Sequence, residues 1–438
     1  MDLTGIRTNR GAVVSVHFGR QVTTNIWWEY GWYTITDEDV IQELRMLQTL
    51  ETHGCYGDVK NKVADLRETY TVYNIGQPYR RDRASHSNLG RRAARQTGAP
   101  TSSNSLATRL VINNYNNDKL SGEVLDYNDV LQLNEIKNQT FGIEIEMSAI
   151  SQERACRTVA EFFGTSASYS PEYGHSAWMC RDGQGRAWLF EYDGSLSGSN
   201  TCEMVTPVLN YTDIETLQAV IRKLRQAGAK SSARYNCGVH VHVGAQGMTP
   251  QHLKNLAIIM FNFEHVLDKS IAVSEGRHDY CKFMSSRFIN KLMTTEMSDN
   301  ETLTSRTQAN NSNEFLKFAD VWYRSQDSSR GSHYNSTRYH ITNFHSVFDH
   351  GTVEFRLFEF KEPDEERQNG LHAGEAKAFI QMSLALMALA KKVKKINGVD
   401  DTTRINSKTK MLSWLDKLCM CGSDFATARE YYTRRLTD

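Results

Sequence analysis

The 438-residue sequence has no surplus of charge of either sign. Lysine plus arginine and aspartate plus glutamate both total 51, so the formal net charge is zero. A balanced chain gives no global electrostatic reason to bind nucleic acid or an acidic membrane surface. Neither class of partner is expected.

Long apolar runs are missing as well. The most apolar late stretch, from Ala376 to Val393, contains Gln381 and ends in lysines. It falls short of the ~20 residues that a membrane span needs, so it predicts a buried helix. The opening residues, Met1 to Gly5, lack the apolar core of a secretion signal. Neither a membrane anchor nor export is expected.

The cysteines form no repeated Cys-x-x-Cys pairs, because the eight of them are scattered along the chain. In so long a chain without an export signal, reduced thiols are expected rather than a disulfide framework. The expected compartment is the cytoplasm.

Hydrophobic periodicity divides the chain into four predicted segments. They are residues 1–80, a small α/β segment; 81–135, an arginine- and serine-rich linker or mobile loop; 136–397, an α+β domain; and 398–438, a helical tail. In the first segment we expect a strand within Gly11–Thr24 and helices at Asp37–Leu50 and Val59–Tyr70. That segment is a candidate for selecting a macromolecular acceptor or for supporting a homo-oligomer.

The arginine-rich part of the second segment, from Arg80 to about Ser105, has an alternative interpretation. It could form a phosphate- or nucleic-acid-binding arm. No aromatic side chains alternate with the arginines to stack on bases, however, which favours a solvated flexible loop.

Strand and helix patterns alternate through the third segment. Strands are predicted at 141–147, 186–192, 202–206, 238–243, 338–345 and 352–360, and helices at 151–163, 213–227, 372–396 and from Thr249 onward. A capping box of Thr212 and Glu215 is expected, and 275–335 predicts a loop-rich insertion. The charged faces lie on the predicted strands, and the apolar faces that would cover the sheet lie on the predicted helices. This pattern predicts an α+β fold in which the sheet curves around a site and the helices pack on its outer face.

Three predicted strands carry ionisable residues two apart inside apolar runs. The pairs are Glu144 and Glu146, His240 and His242, and Glu354 and Arg356. Residues i and i+2 of a strand share a face, roughly 6.5–7 Å apart. Buried carboxylates are costly unless they are paired or bind a metal. The three strands together predict a charged, metal-binding surface on one sheet.

The residue types in this surface suit hard divalent ions. Carboxylate oxygens favour Mg²⁺ and Mn²⁺, and an added imidazole shifts the preference toward Mn²⁺. Two ions could be held by Glu144, Glu146, Glu203, Glu354 and His240. Such ions suit nucleotide phosphates. Arg356 could neutralise a moving phosphoryl group, and Arg338 could grip a carboxylate with two hydrogen bonds.

Each element of this set also has a simpler interpretation when it is taken alone. Glu144 with Glu146 could lie on an exposed face, and Glu354 with Arg356 could form an ion pair within one strand. His240 and His242 with Cys237 could suggest zinc, but no fourth ligand stands at a standard spacing. The simpler interpretations weaken when the residues occur in order along one region.

That ordered set resembles the amidoligase family, which is related to glutamine synthetase and glutamate–cysteine ligase. The resemblance covers about residues 137–397 and is carried by the runs Gly142–Glu146, Asp193–Leu196, Glu203–Pro207, Cys237–Val243 and Thr352–Phe358. It departs from the family after the last run, where Glu359-Phe360-Lys361-Glu362-Pro363 replaces a small Gly-Thr turn.

The resemblance implies ATP-dependent amide or isopeptide bond formation on a curved antiparallel sheet of glutamine-synthetase type. It implies that Glu144, Glu354 and His240 hold the metal that bridges the transferred phosphate, and that Glu146 and Glu203 hold the metal nearer the acceptor carboxylate. The catalytic residues would be Arg356, Glu146 and Arg338, and ATP would be contacted by His242 and Arg356. The metal ligands would be Glu144, Glu146, Glu203, His240 and Glu354.

The predicted partners are ATP, two or more Mg²⁺ or Mn²⁺ ions, a carboxylate substrate and an amine substrate. Either substrate could belong to a small molecule, a peptide or a protein. Two alternatives stay open: a metal-dependent hydrolase that uses the same histidines and glutamates, and a non-catalytic binding protein on a ligase-like sheet.

Overall fold

The computed structural model describes residues 3–7, 13–18, 127–171, 177–196, 200–328, 330, 335–362, 369–396 and 407–437. The chain forms two compact units, Met1–Leu131 with Cys421–Asp424, and Gln132–Met420 with Phe425–Asp438. The predicted helices Asp37–Leu50 and Val59–Tyr70 and the arginine-rich segment lie outside the described residues. The four-segment division stays a prediction.

In the first unit the structure describes an antiparallel pair of strands. Strand β1 is Leu3–Arg7 and strand β2 is Val13–Phe18. Leu3 pairs with Phe18, and the register shifts between Ile6 and Arg7. The strand predicted within Gly11–Thr24 is therefore confirmed.

The second unit is built on one antiparallel sheet covered by helices. Its strands are β3 Phe141–Ser148, β4 Ser168–Ser170, β5 Ala177–Arg181, β6 Ala187–Glu191, β7 Thr201–Val205, β8 Val239–Gly244, β9 Thr342–Asn343 and β10 Thr352–Phe358. They lie in the order β4-β5-β6-β7-β3-β8-β10-β9, and every neighbouring pair is antiparallel. The predicted combination of an antiparallel sheet with helices is confirmed.

The described helices are α1 Tyr127–Asn138, α2 Gln152–Phe163, α3 Ile214–Gln226, α4 Pro250–Ile271, α5 Ser286–Thr294, α6 Arg306–Asn311, α7 Asn313–Arg324, α8 His345–Asp349, α9 Ala373–Lys392, α10 Lys408–Lys417 and α11 Ala426–Thr433. Of these, α2, α3, α4 and α9 were predicted, and each begins one residue after its predicted start. Ser151 and Thr249 cap α2 and α4 by accepting hydrogen bonds from Arg154 and His252. Helix α9 is largely buried, as expected. Among the described residues, none of the helices is long and apolar enough to span a membrane.

One face of the sheet packs on helices, and the other carries the charged residues. Ile143, Ile145 and Val241 are buried, with at most 1% of their surface exposed. Phe358 of β10 stacks on Phe379 of α9, with ring centres 4.6 Å apart, because a register shift between Phe355 and Phe358 interrupts the alternation there. Because side chains alternate along a strand, the ionisable residues between these apolar ones lie on the opposite face.

Three local predictions are wrong. Segment 275–335 contains α5, α6 and α7 rather than mainly loops, because aromatic residues such as Phe315, Phe318 and Trp322 recur at helical spacing and are buried. The strand predicted at 338–345 shrinks to β9, since Ser336–Arg338 forms a 3₁₀ turn. The capping box before α3 joins Asn210 and Asp213, not Thr212 and Glu215.

The turn between β5 and β6 depends on one carboxylate. Asp182 accepts hydrogen bonds from the backbone of Gln184 and Arg186, from the Arg186 side chain at 2.8 Å and from Trp188 at 3.2 Å. Burial opposes the effect, but the bonds from Trp188 and Arg186 lower the pKa of Asp182 below its ordinary 3.8.

We expect Asp182→Asn to lower the free energy of unfolding by about 1–3 kcal/mol, because buried donors lose a charged acceptor. Since the folded pKa is lowered, this contribution is present above pH 3.8 and is lost as the pH falls through the folded value. Urea unfolding at several pH values measures both effects. Asp320→Asn, at an exposed helix pair with Arg324, is the control; equal stability of the two variants at pH 7 would contradict the prediction.

Candidate metal and substrate site

The register of four adjacent strands, β7, β3, β8 and β10, brings the predicted ligands together. In the pairing of β3 with β8, Glu144 lies opposite His240. In the pairing of β3 with β7, Glu146 lies opposite Glu203. Glu354 of β10 lies opposite His242 of β8 and, on its other side, opposite Asn343 of β9. Residues far apart in sequence therefore share one patch of the sheet.

The first group of ligand atoms belongs to Glu144, His240 and Glu354. One atom from each lies within 4.8 Å of the other two. His240 Nδ1 is 3.0 Å from Glu144 Oε2 and 3.7 Å from Glu354 Oε1. His240 and Glu354 are buried, each with 4% of its surface exposed. This spacing suits a single divalent cation between the three side chains.

The second group consists of Glu146, Glu203 and the same histidine. Their ligand atoms also lie within 4.8 Å of one another. His240 Nε2 is 3.8 Å from Glu146 Oε1, so the two ring nitrogens of His240 face different groups. The two candidate sites are thus adjacent and share one imidazole.

Positive charges compensate the carboxylates of this site unevenly. Burial would raise the pKa of Glu354, but Arg356 and the two histidines lower it to about 2. Burial and the charges of Glu144 and Glu146 raise the pKa of Glu203 well above its usual range. A cluster of oxygen donors with unrelieved negative charge is the donor set that hard divalent cations require, so the residues fit Mg²⁺ or Mn²⁺.

His242 lies beside the first group. Its Nε2 is 3.2 Å from Glu144 Oε1, and its Nδ1 is hydrogen bonded to the Thr352 hydroxyl at 3.0 Å. Burial would lower the pKa of His242, but Glu144 and Glu354 raise it above the ordinary value. Burial would likewise raise the pKa of Glu144, which the neighbouring histidines hold well below its usual range. The neighbouring carboxylates therefore stabilise the cationic form of the imidazole, and that form would suit a phosphate neighbour.

The side chain of Arg356 is buried beside the candidate metal ligands. Its Nη1 donates to Glu354 Oε1 at 2.5 Å, and its guanidinium carbon lies 5.8 Å from the centre of the Tyr339 ring. Arg338, in the 3₁₀ turn before β9, lies 5.7 Å from the same ring centre. Tyr339 thus lies close to both guanidinium groups. Although the predicted strand around Arg338 is wrong, its side chain still reaches the site.

Two cavities open on this face. The larger, of about 590 Å³, is lined by His242, Glu354, Tyr192 and His350 among others. The smaller, of about 210 Å³, is lined by Glu146, His240, Arg277, Tyr280, Tyr339 and Arg356 among others. Residues that line both cavities are Glu144, Asp193, Ser195, Glu203 and Arg338. The candidate ligands lie where the two cavities meet.

Sequence reasoning missed three residues of this region. Arg277 lies in the segment taken as loop, and its Nη2 is 2.8 Å from His240 Nε2. Asn343 Nδ2 donates to Glu354 Oε2 at 2.6 Å. Glu191 lies opposite Glu203 in the β6–β7 pair and lines the larger cavity. A strand-period analysis of 186–192 could have found Glu191, whereas Arg277 belongs to an irregular segment without a period.

The Asp193-Gly194-Ser195 run, which the sequence left without a ligand role, forms a tight turn after β6. The Asp193 carboxylate accepts a hydrogen bond from the Ser195 backbone at 2.7 Å. Asp193 and Ser195 line both cavities, and Gly194 lines the larger one. The turn therefore shapes the wall of the site.

Comparison with known proteins places this sequence in a family. Residues 137–386 match the family model described as "Putative amidoligase enzyme". None of the curated proteins matches the chain. A solved structure, a bifunctional glutathione synthetase from Pasteurella multocida, is 11% identical over 70% of this chain and 48% of that one, with a TM-score of 0.32. The chain spans about half the length of that structure, and a score this low carries no argument. The family model covers more than half of this chain, which therefore belongs to the amidoligase family.

Proposed function

We propose that this protein is an ATP-dependent carboxylate–amine ligase that forms an amide or isopeptide bond through an acyl phosphate. Membership of the amidoligase family supports a ligase. The observation that carries the proposal is the pair of adjacent ligand groups, which share His240 where two cavities meet. A ligase of this kind must bring a nucleotide and an acid to one point from separate sides.

The two cavities suggest a division of labour. The larger one has the size of a typical ligand pocket and contains His242 and Glu354, so we assign it to ATP. The smaller one contains three guanidinium groups, those of Arg277, Arg338 and Arg356, so we assign it to the acid substrate. The acid would then meet the γ-phosphate beside Glu144, which lines both cavities.

The proposed cations would be held by the two groups described above. Glu144, Glu354 and His240 would hold the ion that serves the nucleotide, and Glu146 and Glu203 the ion that serves the acid. When bound, Mg²⁺ or Mn²⁺ would neutralise phosphate charge and orient the phosphoryl group for in-line transfer. These assignments retain the ligand sets that the family resemblance implies.

The side chains of the protein supply positioning and charge. A carboxylate is a poor electrophile, and phosphorylation gives it a leaving group. Arg356 would stabilise the charge that spreads over the phosphoryl oxygens, and His242 would contact the ATP phosphates. Arg338 would hold the acid in place. A carboxylate near the amine would remove its proton before attack on the acyl phosphate.

Trapping with hydroxylamine tests this proposal. With ATP and Mn²⁺ or Mg²⁺, the protein should convert a suitable acid and hydroxylamine to a hydroxamate while it releases ADP. The acid is found by screening a broad panel of mono- and dicarboxylates, amino acids and peptides. The absence of nucleotide turnover across acids and amines of this range would contradict the proposal.

Calorimetry separates the ligase from the metal-dependent hydrolase and from a non-catalytic binding protein. The ligase requires Mg²⁺-dependent binding of ATP, whereas the hydrolase would cleave its substrate without nucleotide. A binding protein on the same sheet would bind ligands without releasing ADP. We further propose that the sheet is of the glutamine-synthetase type, which the ordered motifs support, and that the protein acts in the cytoplasm, which the scattered cysteines support.

Asn343 provides a test of the first ligand group. Its side chain fixes one oxygen of Glu354, and removing a hydrogen bond of this kind from a metal ligand typically costs 10–100-fold in affinity. We expect Asn343→Ala to weaken Mn²⁺ binding by about 10–100-fold, measured by calorimetry. Asn310→Ala, which removes a hydrogen bond to the Phe348 backbone, is the control and should bind Mn²⁺ as the wild type does. Equal affinity of the two variants would argue against Glu354 as a ligand.

A further inference from the structure

Arg277 lies inside the second ligand group, although none of the sequence runs that carry the family resemblance contains it. It stands in a 3₁₀ turn, Glu275–Asp279, and only 9% of its surface is exposed. Its Nη2 donates to His240 Nε2 at 2.8 Å and to the Arg356 carbonyl at 3.1 Å. Its Nη1 is 3.9 Å from Glu146 Oε2. The guanidinium group of Arg277 thus lies where a cation bound to His240 and Glu146 would lie.

Gly238 makes room for this guanidinium. A Cβ atom at position 238 would lie 2.0 Å from Arg277 Nη2, which is closer than any real contact. The Gly238 N–H donates to Glu146 Oε2 at 2.5 Å, so the backbone there also fixes Glu146. A side chain at position 238 would therefore push Arg277 away from His240 and leave that N–H in place.

Hydrogen bonding by Arg277 excludes metal binding by His240. A neutral imidazole has one N–H and one lone pair. Because Arg277 is a donor only, the lone pair must be on Nε2, and the proton on Nδ1 then points at Glu144 Oε2, 3.0 Å away.

Either ring nitrogen of His240 could coordinate a cation, but coordination through either one removes the hydrogen bond between Arg277 and His240. Coordination through Nε2 places the ion where Arg277 Nη2 now donates. Coordination through Nδ1 moves the proton to Nε2, and two N–H groups would then face each other at 2.8 Å. The contact between Arg277 and His240 is incompatible with each arrangement.

We infer that Arg277 is a resident counter-ion that a divalent cation displaces from His240 and Glu146. The inference rests on the metal site of the proposed function and deepens it. Arg277 lines the smaller cavity, so the displaced guanidinium has room there. Arg277 is a positioning residue that holds the ligands in order before the cation arrives, and it competes with the cation for them.

Competition by a resident group reduces the apparent affinity for the cation to the intrinsic affinity multiplied by the fraction of protein that is free of the competing contact. Removing the competitor should therefore tighten binding. We expect Arg277→Met and Gly238→Ala each to bind Mn²⁺ about tenfold more tightly than wild type, because a hydrogen bond to a charged group is lost from the competing state. The second variant retains the positive charge, so it tests position rather than charge.

The experiment is Mn²⁺ titration calorimetry of the full chain, with Arg287→Met as the control for a lost surface arginine. Arg287 pairs with Asp327 and is largely exposed, and its variant should match wild type. Unchanged or weaker Mn²⁺ affinity in folded Arg277→Met or folded Gly238→Ala would overturn the inference. Absence of Mn²⁺ binding to wild type would instead overturn the proposed metal site itself.

A measurement on the wild-type protein covers the case in which a variant fails to fold. Phenylglyoxal modifies accessible arginines, and peptide mass spectrometry can quantify the product at Arg277. Saturating Mn²⁺ should increase the modification of Arg277 by about threefold or more, because a buried guanidinium group is released into a cavity. The modification of Arg287 should stay unchanged. Unchanged or reduced modification of Arg277 would overturn the inference.

Discussion

Glu144→Gln is expected to lower kcat/KM for ATP-dependent ligation by at least about 1,000-fold, because cation-mediated stabilisation of a phosphoryl transition state is worth several kcal/mol. Glu144 contacts both histidines of the site and borders both cavities. The amide retains the shape of the carboxylate but not its charge, so the first ligand group loses its central anion. Coupled detection of ADP release, with hydroxamate formation, measures the effect.

Glu153→Gln is the matched control for this prediction. Glu153 lies on helix α2 and pairs with Arg157 on the surface, so its loss removes the same charge far from the cavities. Its activity should equal that of the wild type. Activity of Glu144→Gln within tenfold of the control would contradict a role for Glu144 in holding the cation.

Arg356→Met is expected to lower kcat by about 100–1,000-fold while Mn²⁺ still binds, since one preorganised donor to a developing charge is removed. The same change should lower the free energy of unfolding of the metal-free protein by about 3–5 kcal/mol, because it leaves Glu354 buried without its cationic partner. Steady-state kinetics gives the first effect, and urea unfolding in the presence of a chelator gives the second.

Arg429→Met separates the loss of stability from the loss of catalysis. Arg429 is also buried and pairs with Asp416 at 2.6 Å, but it lines neither cavity. This control should lose stability and keep its kcat. If Arg356→Met kept a kcat within tenfold of the control, the proposed role of Arg356 in phosphoryl transfer would be wrong.

The strands that carry the site could be predicted because burial imposes a period of two on them. Ile143 and Ile145 must face the helices, which places Glu144 and Glu146 on the other side. The pairing of Glu144 with His240 was not contained in that pattern, since register between distant strands depends on turns and packing. The order of motifs in the resemblance supplied the expectation that they converge.

The irregular parts of the site could not be predicted in the same way. Arg277 stands in a short turn, where no repeat reveals which way a side chain points. Around Arg338, alternating residues suggested a strand, but the Asn335 side chain caps a 3₁₀ turn by accepting from the Thr337 N–H. A local hydrogen bond of this kind competes with strand pairing. Within the predicted strand, Thr342 and Asn343 pair in register with β10, and the Ile341 carbonyl accepts a hydrogen bond from the Arg356 N–H.

Crystallography with Mn²⁺ and a non-hydrolysable ATP analogue, with diffraction data collected at the manganese absorption edge, tests the central claim most directly. We predict one anomalous peak among Glu144, His240 and Glu354 and a second beside Glu146 and Glu203, with the phosphates of the analogue in the larger cavity. Anomalous peaks at neither group, with the carboxylates unchanged, would contradict the account.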